Sequence, residues 1–199
     1  MSKKAEMGIG TLIIFIAMIL VAAIAAGVLI QTATSLQNKA LLAGSRTKGQ
    51  VSTAMSFLLV YAENGSTPDK TVNRFFFKTK LAPGSDPIKF EDSLVEFDLQ
   101  DSSADLTFNM SNGTCADWEY DTDASGSGNF SVQYLVTGSE WKEGYLHRGD
   151  VVKICMKAPR DVAADEDIQV RFVPKIGTPA ILETAIPDVI TQQRIYIFP

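Results

Sequence analysis

GIGTLIIFIAMILVAAIAAGVLI, residues 8–30, runs for 23 residues without a charge, and 13 of them are Leu, Ile, Val or Phe. As a helix rising about 1.5 Å per residue this stretch spans roughly 34 Å, the thickness of a bilayer's hydrocarbon core. Each of those 13 side chains favours mid-membrane by about 0.3 to 0.6 kcal/mol, so insertion is favoured by roughly 4 to 8 kcal/mol as an upper figure. Transient membrane insertion is therefore expected. Lys3 and Lys4 lie just before the stretch, and cations in that place stay cytoplasmic, which directs the rest of the chain outward. Beyond residue 30 the composition changes to that of an acidic soluble protein. The whole chain of 199 residues holds 18 Lys plus Arg against 23 Asp plus Glu, a formal charge of −5. That is core material for little more than one domain. It lacks the basic excess that phosphate contacts require, so no nucleic-acid partner is expected.

Three fates are open to the apolar segment: a retained anchor, a secretory signal cut near Ala23-Ile24-Ala25, or a helix kept after removal of a short basic leader. The second leaves the apolar run unfinished, because it continues through Gly27-Val28-Leu29-Ile30. The third fits the order of residues. Lys3-Lys4-Ala5 followed by Glu6-Met7-Gly8-Ile9-Gly10-Thr11-Leu12 resembles the leader and mature start of the archaeal flagellins (archaellins), within the class III signal peptide, type IV pilin-like superfamily. The resemblance extends over residues 3–60, about a third of the chain. It implies a leader at residues 1–5, cut between Ala5 and Glu6 by a prepilin-peptidase-like enzyme.

Helix formers continue after Ile30 through Leu36, Leu41, Leu42, Ala54, Met55, Leu58 and Leu59, with Gly44 and Gly49 as weak points. An assembly helix over residues 6–62 is expected. At about 80 Å it is more than twice what a bilayer needs, so copies of itself must cover its outer half. Its polymerising residues are taken as Gly8, Ile9, Gly10, Leu12, Ile13, Phe15, Ile16, Ile19, Leu20, Ala22, Ala23 and Ala26, small residues letting neighbouring helices approach closely. A head-to-tail contact that does not close makes an open helical polymer.

Asn64-Gly65 and Pro68 mark the boundary to an outer domain over residues 63–199. Runs rich in aromatic and β-branched residues at 71–80, 88–100, 104–110, 131–137, 151–158, 168–175 and 194–198 predict strands, and their number and spacing predict an immunoglobulin-like β-sandwich. The fold class is thus α+β, a long hydrophobic helix followed by a sandwich. Cys115 and Cys155, both on the exported side, are expected to pair, closing a loop of about 40 residues worth on the order of 4 kcal/mol. Asn64, Asn109, Asn112 and Asn129 each begin an N-glycosylation triplet.

Asp117, Asp121 and Asp123 are the only candidates for a hard cation such as calcium; Val132 stands where a calcium loop needs its bidentate Glu, and an acidic turn is the plainer reading. No other cofactor is implied. His147 is the sole histidine and no nucleophile elbow or phosphate loop is present, so no catalytic residue is assigned. Arg148-Gly149-Asp150 is taken as a turn. The resemblance implies an extracellular swimming filament, a homopolymer with room for sibling archaellins, and a membrane assembly platform and motor ATPase as partners. Two alternatives stay open: a type IV-like adhesion pilin, which usually carries a Glu inside the apolar stretch, and a secreted or anchored β-sandwich binding module.

Overall fold

A computed structural model describes residues 3–63, 65, 70–109, 115 and 127–198. Helix α1 covers Lys3–Ser52 and is followed by eleven strands. The chain divides into two compact units, Met1–Thr47 and Lys48–Pro199.

In the first unit the large apolar side chains lie exposed all round the helix, from 50% at Ile16 to 70% at Met18. The span Met7–Ser52 is long and apolar enough to cross a membrane. Its hydroxyls are suited to a dry setting. Thr11 donates to the carbonyl of Met7 at 3.2 Å, Thr32 to Leu29 at 2.9 Å, Thr34 to Ile30 at 3.1 Å and Thr47 to Ala43 at 2.9 Å. Each satisfies its polar group within the helix, as an apolar environment demands.

The helix ends at Ser52, short of the expected end near residue 62, and Met55–Glu63 is strand β1. Met55, Leu58 and Leu59 fit a helical spacing, but Phe57, Val60 and Tyr61 are strand formers, and here long-range pairing decides. β1 lies between β2 (Thr71–Leu81) and β11 (Arg194–Phe198), pairing with β2 from Met55 to Glu63 and with β11 from Val60 to Glu63. The last turn of α1, which belongs to the second unit, is terminated by side chains and loops distant in sequence. Ser85 accepts from the Ala54 amide at 3.0 Å, the Thr178 amide donates to the Thr53 carbonyl at 2.8 Å, and the Ala82 amide donates to the Ala54 carbonyl at 2.9 Å. Gly177, at φ +129°, packs so tightly here that an added Cβ would stand 2.7 Å from the Thr53 carbonyl oxygen.

The remaining strands are β3 (Ile88–Lys89), β4 (Leu94–Asp98), β5 (Ser103–Phe108), β6 (Ser127–Val136), β7 (Tyr145–Leu146), β8 (Val151–Ala163), β9 (Asp167–Val173) and β10 (Ala180–Ala185). The expected single run over 88–100 is broken by a 3-10 turn at Phe90–Asp92. Nine strands form one sheet in the order β10-β9-β4-β5-β6-β8-β2-β1-β11, while β3 and β7 pair separately. Every pair in that sheet is antiparallel except β5 with β6. A parallel neighbour needs a crossover of a dozen or more residues, which residues 109–126 supply.

The sheet folds over on itself. Phe75 of β2 and Phe97 of β4 lie 5.0 Å apart, centroid to centroid, although β5, β6 and β8 separate their strands in the hydrogen-bonded order. Phe130 and Phe172 are 6.4 Å apart in the same core, with Phe77, Phe90, Leu106, Ile154 and Met156 fully buried around them. The result is the expected sandwich. Pro159 breaks the β2–β8 ladder: Arg74 pairs with Lys157 and Val72 with Val162, a bulge where a residue without an N–H is tolerated.

Candidate functional site

Ala5 and Glu6, the expected leader junction, lie within α1, and Gly8, Ile9, Gly10, Leu12, Ile13, Phe15, Ile16, Ile19, Leu20, Ala22, Ala23 and Ala26 are exposed residues of the same helix. The apolar character is not confined to one stripe, so the helix is built to be covered on every side.

On the second unit, β2 sends Phe75 and Phe77 inward and Phe76 outward. Phe76 stacks on Tyr61 at 4.8 Å, and beside them lies the disulfide joining Cys115 to Cys155, with Cα atoms 5.9 Å apart. The disulfide thus ties the β5–β6 crossover to the outer face of β8, at a small apolar patch separate from the main core. Burial pushes the Tyr61 hydroxyl above its ordinary pKa, with Glu63 adding to the effect. Lys153 lies over the Phe76 ring at 5.4 Å and is held below the usual lysine range, by burial first and then by Lys78 and Arg194.

Asn109 is exposed just after β5, while Asn129 is half-buried and its side-chain oxygen accepts from Thr107 at 3.1 Å. Asn64, Asn112, Asp117, Asp121 and Asp123 lie outside the described residues. Among the described residues no three His, Cys, Asp or Glu side chains gather as metal ligands.

The Arg148-Gly149-Asp150 triplet is a structural turn. The Asp150 carboxylate is buried and accepts from the amides of Gly138 at 2.6 Å and His147 at 2.9 Å, while Arg148 donates to the Ser85 carbonyl at 3.2 Å. The structure adds two groups that motif and spacing had not marked. One is the joint of Thr53, Ser85 and Thr178, whose residues are up to 125 positions apart. The other is Arg160, which binds both Asp101 and the nearly buried Glu166. The partners of each group are distant in sequence or lie across a turn and carry no common periodicity, so neither group left a signal.

The archaeal-type flagellin family model matches residues 5–184. The chain is 36% identical over 148 residues to Flagellin A1 of Haloferax volcanii, covering 74% of this chain and 64% of that relative. It is 33% identical over 189 residues to Flagellin B2 of Halobacterium salinarum, covering 94% and 90%. In fold it is similar to the archaeal flagellum of Methanospirillum hungatei, with a TM-score of 0.69 at 15% identity over 96% of this chain and 99% of that one. It is also similar to archaeal flagellin FlaB1 of Methanocaldococcus jannaschii, with a TM-score of 0.61 at 16% identity over 73% and 96%. An exposed apolar helix followed along the chain by a β-sandwich, with the family model matching most of its length, identifies the chain as a member of the archaeal-type flagellin family, a structural subunit of the extracellular archaellum and not an enzyme.

Proposed function

We propose that the chain enters the membrane with Lys3 and Lys4 on the cytoplasmic side, loses residues 1–5, and polymerises through residues 6–52 into a rotating filament that drives swimming. The observation that supports polymerisation through this helix is its glycines. Gly8, Gly10 and Gly27 each lower helix stability by about 1 kcal/mol relative to Ala. Within the chain an added Cβ at any of the three would meet no atom within 4 Å. Their small size has no use in an isolated helix and suits close packing against another one. Once the copies have left the lipid, they cover one another's apolar surface, with the sandwiches on the outside. A prepilin-peptidase-like enzyme makes the cut, and a membrane platform with a cytoplasmic ATPase extracts and turns the polymer. Glycans on this exported domain, for which exposed Asn109 is a suitable acceptor, oppose lateral clumping.

The amino-terminal peptide mass of protein recovered from its native host tests this reading. A chain beginning at Glu6 is expected. A start at Met1 leaves an anchored protein and a start after Ala25 a secreted domain, and either overturns the proposal.

A further inference from the structure

Helix α1 carries cations without counter-ions of its own. From Met7 to Ser52 it holds Lys39, Arg46 and Lys48 but not one Asp or Glu, and Glu6 is the single carboxylate of residues 1–52. Residues 53–199 have the reverse balance, 13 Lys plus Arg against 22 Asp plus Glu. Lys48 belongs to the second unit and precedes Gly49, beside which the Asp86 carboxylate stands. Lys39 and Arg46 are exposed and one heptad apart, so they fall on one side of α1, about 10.5 Å from each other along its axis. Leu42, three residues after the first and four before the second, shares that side and is 60% exposed.

When neighbouring copies cover this side of the helix, its cations leave water with Leu42, and a buried charge must be paired. Identical helices cannot pair them, because each brings only cations over this stretch. The outer face of β5, β4, β9 and β10 can. It carries Glu96, Asp98, Asp105, Asp167 and Glu183, and Arg171, bound to Glu96, is the single cation of those strands. Strand alternation turns these carboxylates outward, since Val95, Phe97, Leu106, Ile168 and Val170 between them are buried in the core. Asp98, Asp105 and Asp167 make no hydrogen bond or ion pair among the described residues. Asp98, Asp167 and Glu183 line a cleft of about 550 Å³ whose wall includes Leu99 and Ala185, a setting for a side chain with an apolar stem and a cationic head. Neighbouring carboxylates lie about 5 to 7 Å apart on this face, so one contact can serve both helix cations. Ile181, 54% exposed on β10, gives the same face an apolar residue to meet Leu42. On the other outer face Glu63 and Asp161 are outnumbered by Lys and Arg.

We infer that in the filament the Lys39–Arg46 side of one copy's helix is covered by the acidic β5-β4-β9-β10 face of a neighbouring copy's outer domain. This rests on the proposed polymerisation of the chain. A helix side meeting a sheet face is a heterologous contact, which repeats along a polymer without closing. Complementary charge fixes its register, which the uniformly apolar stretch at residues 8–30 does not. The competing partners for Lys39 are Glu6 of another helix, the acidic segment with Asp117, Glu119, Asp121 and Asp123, and the chain's own outer domain.

The experiment begins with filaments of the full chain sheared from cells and treated with a carbodiimide, which joins an amine to a carboxylate in direct contact. Denatured chains are separated by size, and the linked peptides are identified by mass. Covalent dimers are expected in which Lys39 is joined to Asp98, Asp105, Asp167 or Glu183. A Lys39 link to Glu6, or to the segment 117–123, assigns the cations elsewhere and overturns the inference. A link found only within single chains assigns them to the chain's own domain, with the same result. Charge reversal then tests the energetics, read as the fraction of warmed filaments that still pellets. One variant reverses the helix (Lys39→Glu with Arg46→Glu), one the face (Asp105→Lys with Asp167→Lys), and one carries all four changes. Each two-residue reversal is expected to lower the pelleting fraction about tenfold, and the fourfold variant to return to within about threefold of wild type. Protease resistance of the detergent-solubilised chains, unchanged in all three, shows that the outer domain keeps its fold. Absence of any Lys39 link, or absence of rescue in chains that keep wild-type protease resistance, overturns the inference as well. Absence of filaments from the wild-type chain sinks the polymer reading itself, a separate result.

Discussion

Arg160 shows how one residue can set the acid stability of the outer domain. Its guanidinium donates to Asp101 at 2.8 Å and to Glu166 at 3.0 Å, and Glu166 also accepts from the Ala163 amide at 3.1 Å. The Arg160 hydrogen bond, more than any other influence, holds the Glu166 carboxyl below its ordinary value of 4.5. The same guanidinium lowers Asp101, and Lys175 lowers Asp92. A carboxyl whose pKa is lower folded than unfolded contributes stability above the unfolded value and loses it as the pH falls through the folded one. The melting temperature of the detergent-solubilised chain should therefore be level near neutrality and drop below about pH 4.5. Arg160→Met should cost about 2 kcal/mol at pH 7, because it strands a nearly buried carboxylate, and should make the acid drop shallower. A variant with wild-type pH dependence would remove Arg160 from this role.

At the level of elements, the crossover between β5 and β6 is what the disulfide serves. Parallel pairing forces a long connection, and a long connection is entropically loose; Cys115–Cys155 ties it to a central strand. Loop closure over a separation of 40 residues is worth on the order of 4 kcal/mol, and reduction should accordingly lower the melting temperature by roughly 10 °C. Calorimetry with and without a reductant, with thiol alkylation counted in parallel, checks this; an unchanged melt with both thiols alkylated would contradict it. The patch of Tyr61, Phe76 and the two cysteines lies on the side of the sheet away from the main core, so the loss should leave the sandwich folded.

For the whole molecule, the proposed function gives assembly and folding to different parts of the chain, and one substitution can separate them. Ala22→Asp places a carboxylate in the apolar rod, where insertion alone is penalised by about 2.5 to 3.5 kcal/mol and a packed bundle offers no partner. Filaments should be lost while the outer domain keeps its disulfide and its protease resistance. Normal filaments from this variant would show that Ala22 does not lie in a buried core. The same division explains why the helix was the most legible part. Its apolar run and the Lys3-Lys4-Ala5 before it are contiguous, and each hydroxyl from Thr11 to Thr47 that bonds a helix carbonyl does so within four positions.

The sequence by itself determined the membrane-competent helix, the strand-rich outer domain and the family, because uninterrupted apolarity and local strand propensity are properties of neighbouring residues. Only the tertiary structure decided that residues 55–63 are a strand and not the last turns of the helix, since Tyr61 owes its conformation to pairing with Phe76 and Tyr196. It also decided the parallel β5–β6 pair and the Thr53–Ser85–Thr178 joint. Each of these depends on which distant segments meet and in what register. A shift of one residue would turn every side chain of a strand to the opposite face, so local sequence alone could not assign them.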